Sequence, residues 1–273
     1  MGGLLFLLSA GFSLIFGLLR IPNLAHGALF MLGAYFGAAL LGSSMNFWLA
    51  ALLSGVGVGM IGVVLEAVLL RRLAGNEQGQ VLVTLGVAFI IADICLLTWG
   101  GDPMPLGAPR SLRPPVFIAG FAFPGYRLVV LGFALVTALL LWLLLERTRL
   151  GAMIRAGVDD RQMARSVGIP VSRLFSAVFF LGAFLAGVGG VIGGPILSAY
   201  PGLDADMLPL ALIVVILGGI GSLLGAFVGS FVIGFIYTFG TALFPELAYF
   251  ILFLPMIVVL AFRPQGLFGR VAA

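Results

Sequence analysis

Eight stretches of this chain, each 16 to 24 residues long, carry at most one charged side chain apiece, and that succession leaves few folds open. They run from Gly2 to Leu19, Leu24 to Leu41, Phe47 to Leu70, Gln80 to Trp99, Leu128 to Leu145, Leu174 to Leu197, Gly221 to Phe244 and Leu247 to Phe262. About 20 apolar residues span a bilayer as a helix. In hydrocarbon every backbone polar group must find its partner within the structure, which restricts spanning elements to helices and closed barrels. The expected fold is all-α, a polytopic transmembrane bundle forming a single domain over 1–273. Composition agrees, with 62% hydrophobic and 9% charged residues against roughly a quarter charged in soluble domains. A ninth apolar segment, Ala205 to Leu217, is short for a crossing and open to being tilted, re-entrant or extended. The expected count is therefore eight or nine segments.

All 14 basic residues are arginine. Without a lysine the chain cannot form a Walker A phosphate loop, so any ATP-driven motor must be a separate subunit. If Glu146 to Arg173 is cytoplasmic and all nine segments cross, eleven arginines fall inside and only Arg110, Arg113 and Arg127 outside. The positive-inside rule favours that arrangement and puts the C-terminus in the cytoplasm of a multi-pass inner-membrane protein. The sequence pI near 9.8 then reflects cytoplasmic arginines rather than nucleic-acid binding. The run before Arg20 lacks a basic n-region, which argues for a retained first span. Cys95, the sole cysteine, lies in an apolar stretch, so intrachain disulfides and cysteine metal clusters are excluded.

The connection 100–126 carries six prolines, at 103, 105, 109, 114, 115 and 124. That density is expected to block helix and sheet, leaving an external loop that serves as a docking platform or a plain connector. Glycines four apart, at 55 and 59, 189 and 193, and 225 and 229, allow close helix approach. The first three and last three segments share a pattern of helix, break, helix and helix. The breaks fall at Arg20 to Gly27 and Gly218 to Ser222, and both triplets end in arginine-containing turns. By parity the pattern suggests an internal repeat that is parallel rather than inverted.

The stretch Glu146 to Arg173 is too charged to cross. Asp159 as N-cap with Gln162 three residues on, then Gly168 and Pro170 as stop, predict a short helix near Asp160 to Val167. Met163, Ala164 and Val167 share one face, and Arg161 and Arg165 another. Such a helix suits a groove on a soluble partner, or equally an anionic lipid surface. Asn23 and His26 sit at the first break, where irregular backbone must be shielded by protein or water. His26, the only histidine, reads first as a clamp on the broken helix and second as a pathway lining. Asp93 lies inside the fourth span, where a carboxylate is costly: it carries function, or it is simply neutral or bonded to a neighbouring helix. Glu66 is expected to pair with Arg71 or Arg72, and Asp204, Asp206 and Glu246 to lie at solvated outer ends.

Three motifs, GLLRIPNLAHGALFMLGAY near the start, RTRLGAMIRAGVDDRQMARSVGI in the charged loop and ILGGIGSLLGAFVGSFVIG with LAFRPQGLFGR near the end, resemble the LivH-type permeases of branched-chain amino acid ABC importers. The resemblance covers nearly the whole chain. It implies two permeases, a LivM-like chain or a second copy beside this one, with two cytoplasmic ATPase subunits and a periplasmic solute-binding protein. It implies no cofactor of the chain's own, since ATP is bound by partners. Residues Asp159, Asp160, Arg161, Met163, Ala164, Val167 and Gly168 would form the coupling helix. Asn23, His26, Asp93, Gly218, Gly219, Gly221 and Ser222 are the pathway or helix-break candidates. Similar permeases also carry more residues ahead of the first span.

Two other classes compete. A proton-coupled secondary transporter would use Asp93 as its proton carrier. An intramembrane enzyme would need Ser with His, paired aspartates or a zinc motif, and one histidine with one deep aspartate supplies none of these.

Overall fold

The computed structural model describes residues 1–18, 23–118, 120–243 and 245–269. Arg20 and Arg270 lie outside them, as do Ile21 and Pro22 of the first break. Five helices among the described residues are long and apolar enough to cross a membrane: Phe47–Leu73, Glu77–Trp99, Gly125–Arg147, Val171–Leu197 and Leu223–Leu243. Shorter apolar helices cover Gly2–Gly17, His26–Gly42 and Phe250–Phe262. In chain order the helices are α1 Gly2–Ser13, continued by a π-helical turn to Leu18, α2 His26–Gly42, α3 Phe47–Val68, α4 Glu77–Trp99, α5 Gly125–Arg147, α6 Arg149–Asp159, α7 Arg161–Ser166, α8 Val171–Leu197, α9 Leu203–Gly218, α10 Leu223–Leu243 and α11 Ala248–Phe262. The molecule is an all-α membrane bundle apart from one small hairpin.

The core forms around α8, which packs on α1, α2 and α3. Glycine permits those contacts. A Cβ on Gly187 would lie 2.8 Å from the Cβ of Val58 and 3.1 Å from the Cα of Gly55, and one on Gly33 would strike the backbone of Gly187. The three glycine pairs read from the sequence all sit at such contacts. Gly55 and Gly59 meet Val188, Phe184 and Phe180 of α8, Gly189 and Gly193 meet Phe30 and α1, and Gly225 and Gly229 meet Gly218 and Val214 of α9. Without a hydrophobic driving force between helices in lipid, this van der Waals fit is what holds them together.

The proline-rich connection departs from expectation. Strands β1 (Pro115–Ile118) and β2 (Phe121–Pro124) pair antiparallel, with Val116 opposite Phe123. The prolines at 115 and 124 close the ladder at its open end, where a missing N–H costs least. The loop is also tied down. Met104 and Ala199 exchange backbone hydrogen bonds of 2.7 and 2.9 Å, and buried Leu106 fills the space beside Gly194.

The element α9 takes the ninth segment as a 16-residue helix, about 24 Å long at 1.5 Å per residue. It starts alongside α2, where a Cβ on Gly27 would lie 2.7 Å from the Asp204 carbonyl oxygen. Asp204 is thus half-buried against α2 rather than at a solvated outer end. Asp206 is exposed and accepts a 2.6 Å hydrogen bond from the Tyr200 hydroxyl.

Candidate functional site

The arginine-rich connection folds into two helices, of which the sequence reading found one. Thr148 caps α6, its Oγ1 accepting from Gly151 N at 3.2 Å. Along α6 the spacing of Gly151, Ile154 and Gly157 buries one face, and Gly151 sits directly on the carbonyls of Leu144 and Leu145. Arg155 donates to the Leu145 carbonyl and lies 3.5 Å from Glu146. Asp159 therefore ends α6. The cap of α7 is Asp160, whose Oδ1 accepts from Gln162 N at 2.8 Å and Met163 N at 2.9 Å. With Asp160 as N-cap, Gln162 is not at the position a capping box requires. The predicted stop stands: Gly168 has φ +85°, and Gly168 N and Ile169 N close on the carbonyls of Arg165 and Ala164.

The expected apolar face of α7 divides. Ala164 is buried at 3% exposure and seats the helix on the protein, while Met163 and Val167 project outward at 63% and 67%. The side chains of Asp159 and Arg161 lie outside the described residues. A cleft beside α7 is lined by Ala74, Gly75, Gln162 and Arg165, so the turn after α3 and the short helix share one surface.

The two helix breaks carry different chemistry. At the first, Asn23 Oδ1 accepts from Ala25 N at 3.2 Å, turning the chain into α2. The ring Nε2 of His26 lies 3.0 Å from the Leu8 carbonyl. Because that oxygen only accepts, His26 donates from Nε2, and Nδ1 is left buried without a partner among the described residues. The contact ties the start of α2 to the middle of α1. At the second break, Gly219 and Gly221 have φ of +100° and +80°, a region open to glycine, and Ser222 Oγ accepts from Gly225 N at 3.0 Å to cap α10.

Two of the three sequence motifs meet here. Leu267 N and Phe268 N donate to the carbonyls of Leu217 and Gly218 at 2.8 and 3.0 Å, and Gly266 and Gly269 pack against Gly219. From the other side, Gly17 at the end of α1 lies against Gly221. The end of α1, the second break and the chain's final turn thus form one junction.

The acidic candidates separate. Glu66 is buried and chelated: Arg71 Nη2 and Nε donate at 2.8 and 3.2 Å, and Ser176 Oγ of α8 donates at 2.7 Å. The pairing with Arg71 was readable from the sequence; Ser176, 110 residues away, was not. Asp93 is exposed on α4, and its carboxylate makes no hydrogen bond or ion pair among the described residues. A bond to a neighbouring helix, one of the readings open to it, is not seen among the described residues. Among the described residues no group of three or more His, Cys, Asp or Glu side chains is placed to hold a metal ion.

Comparison with known proteins bears on the whole chain. The family model described as branched-chain amino acid transport system / permease component matches residues 1–260. The chain is 27% identical to the high-affinity branched-chain amino acid transport system permease protein LivH of Escherichia coli K12, over 97% of this chain and 91% of that protein. It is 28% identical, over the same shares, to the corresponding permease protein BraD of Pseudomonas aeruginosa. Across 58% of its length it is 33% identical to the autoinducer 2 import system permease protein LsrC of Klebsiella pneumoniae, covering 49% of that protein. No solved structure gives a significant match.

Proposed function

The chain belongs to the family of branched-chain amino acid transport system permease components, and on that premise we propose that it forms half of the translocation path of an ABC importer for branched-chain or related amino acids. Its family is one of transport permease subunits, which are not catalytic, and the multiple apolar helices place it in the membrane as a multi-pass protein. The motor in this reading is a pair of separate ATPase subunits on the arginine-rich side, where the C-terminus also lies. A periplasmic binding protein delivers solute to the opposite side, over the 100–126 loop, and a second permease completes the path. Because LsrC-type relatives import autoinducer 2, the permease role is the shared property, and amino acids follow from the LivH and BraD matches along nearly the whole chain.

The observation that carries this reading is α7. It is anchored by buried Ala164, capped by Asp160 and stopped at Gly168, and it presents Met163 and Val167 outward. Those two side chains are an apolar anchor of the size that a groove on a soluble subunit accepts. Residues 159–168 then receive the ATPase stroke. The breaks at Asn23 to His26 and Gly218 to Ser222 are hinges beside the path. A proton-coupled carrier working through Asp93 gains nothing from the family match.

Affinity purification through this chain, co-expressed with its genomic neighbours, tests the reading. ATPase subunits co-purify with the unaltered chain, and Met163→Asp together with Val167→Asp lowers their recovery at least about tenfold, a charge placed in an apolar contact being worth more than about 1.4 kcal/mol. Solute uptake into liposomes by the purified chain alone overturns it.

A further inference from the structure

From Pro114 to Pro124 the chain carries no polar side chain, and Arg113 and Arg127 flank the stretch. This is the hairpin of β1 and β2, and the protein covers neither of its faces. Val116 stands opposite Phe123 and Phe117 opposite Ala122, so the two pairs lie on opposite faces of the ribbon. All four side chains are exposed, Phe117 at 73%, Val116 at 44% and Phe123 at 43%. At the turn Gly120 has φ +83°, and a Cβ there would meet nothing within 4 Å. An antiparallel ribbon in water packs one face and wets the other with polar side chains. This one is apolar on both.

The helix α5 sets the level of the hairpin. Pro124 ends β2 and immediately precedes Gly125, the first residue of α5, so no linker separates them. The 23 residues of α5 make about 34 Å, a little more than the roughly 30 Å of bilayer hydrocarbon. Its first turn and the base of the hairpin therefore stand among the headgroups. Arg127, Leu131 and Leu135 follow at four-residue steps along one exposed side of α5, so its lipid-facing side ends in a cation at that level. Arg113 Nε donates to the Ala108 carbonyl at 3.0 Å. Among the described residues no carboxylate pairs with Arg110, Arg113 or Arg127, the three arginines that the positive-inside arrangement leaves on the far side.

We propose that this hairpin is a lipid-binding element that lies in the headgroup layer, with Val116, Phe117 and Phe123 against the ends of the acyl chains and Arg113 and Arg127 donating to phospholipid phosphates. Guanidinium groups match phosphate oxygens. The depth is bounded from below, because the outer edges of a two-stranded ribbon carry backbone groups that hydrocarbon leaves unpartnered and that headgroups and water satisfy. Prolines at 114, 115 and 124 already remove three of the N–H groups concerned. A protein partner fits less well: it would cover one face and leave the other in water, and the polar rim of a protein interface is missing from residues 114–124. The proposal rests on the placement in a membrane and not on the importer reading. The solute-binding protein of that reading keeps the first part of the loop, which is tied to Ala199.

Nitroxide labels at Val116→Cys, Phe117→Cys and Phe123→Cys, each with Cys95→Ala, test it in the full chain held in nanodiscs of phosphatidylethanolamine and phosphatidylglycerol. Each label should collide more with oxygen than with a water-soluble nickel chelate, and a label at Asp102→Cys should show the reverse. A preference for nickel on either face of the hairpin overturns the embedding. Arg113→Gln together with Arg127→Gln should raise nickel access at residue 117 by roughly fivefold, the scale on which one basic side chain holds a segment at a phospholipid surface. Unchanged access overturns the phosphate contacts. A photo-crosslinking amino acid at Phe117 of the otherwise unaltered chain, in native membranes, identifies the occupant. Adducts to phospholipid are expected, and adducts to a soluble or membrane-spanning protein overturn the proposal. None of these readouts needs ATPase subunits or solute uptake, so a failure of the importer reading would show separately.

Discussion

The carboxylate of Glu66 and the guanidinium of Arg71 form one contact with unequal consequences. Glu66 is buried, its side chain 5% exposed, while Arg71 is 44% exposed. Removing the acid leaves a cation that turns to water; removing the cation strands a buried charge with Ser176 as its remaining partner. Arg71→Ala should therefore cost about 3 kcal/mol and Glu66→Gln clearly less, read as melting temperatures of the purified protein. Asp160→Ala removes an acceptor from two amides at the start of α7. It should cost about 1 kcal/mol, seen as faster hydrogen exchange at Gln162 and Met163 and weaker ATPase retention. At this scale the sequence revealed local partners. Glu66 and Arg71 are five residues apart, and Asn23 and His26 stand at a visible break. Ser176 and the Leu8 carbonyl lie far along the chain, and no local pattern announces them. The choice between Asp159 and Asp160 as cap turned on whether a helix preceded it, which the charge of the stretch concealed.

For single elements, the apolar runs found the long helices to within about three residues at nearly every end, because helix length in a bilayer is set by its thickness. The misses have equally physical causes. The helix α6 is amphipathic and charged, so hydropathy passed over it, although Thr148 and the spacing of Leu150, Met153 and Ile154 were there to be read. The hairpin in the proline-rich loop forms because its prolines occupy ladder ends. Two substitutions check the packing of elements. Gly187→Val puts branched carbon into the α3–α8 contact and should reduce folded yield at least about tenfold by overpacking. Gly132→Ala on α5 meets nothing within 4 Å and should be neutral, or stabilising by up to about 1 kcal/mol from helix propensity. In the loop, Leu106→Ser should release the segment from Gly194, and limited proteolysis outside the membrane should then cut near 100–114 sooner than in the unaltered protein.

Across the whole molecule, α8 is the enclosed strut and α4 and α5 are left with broad free faces, as suits one part of a larger assembly. The end of α1 and the second break touch at Gly17 and Gly221. The junction also sets an order of events. The last carbonyls of α9 are capped by amides of residues 267 and 268, 50 positions later in the chain. On the ribosome, at roughly 5 to 20 residues per second, that helix emerges seconds before the segment that completes its end. A nascent chain halted at Pro264 would hold α9 with its last two carbonyls bare, so that helix end is completed only by the turn that follows α11.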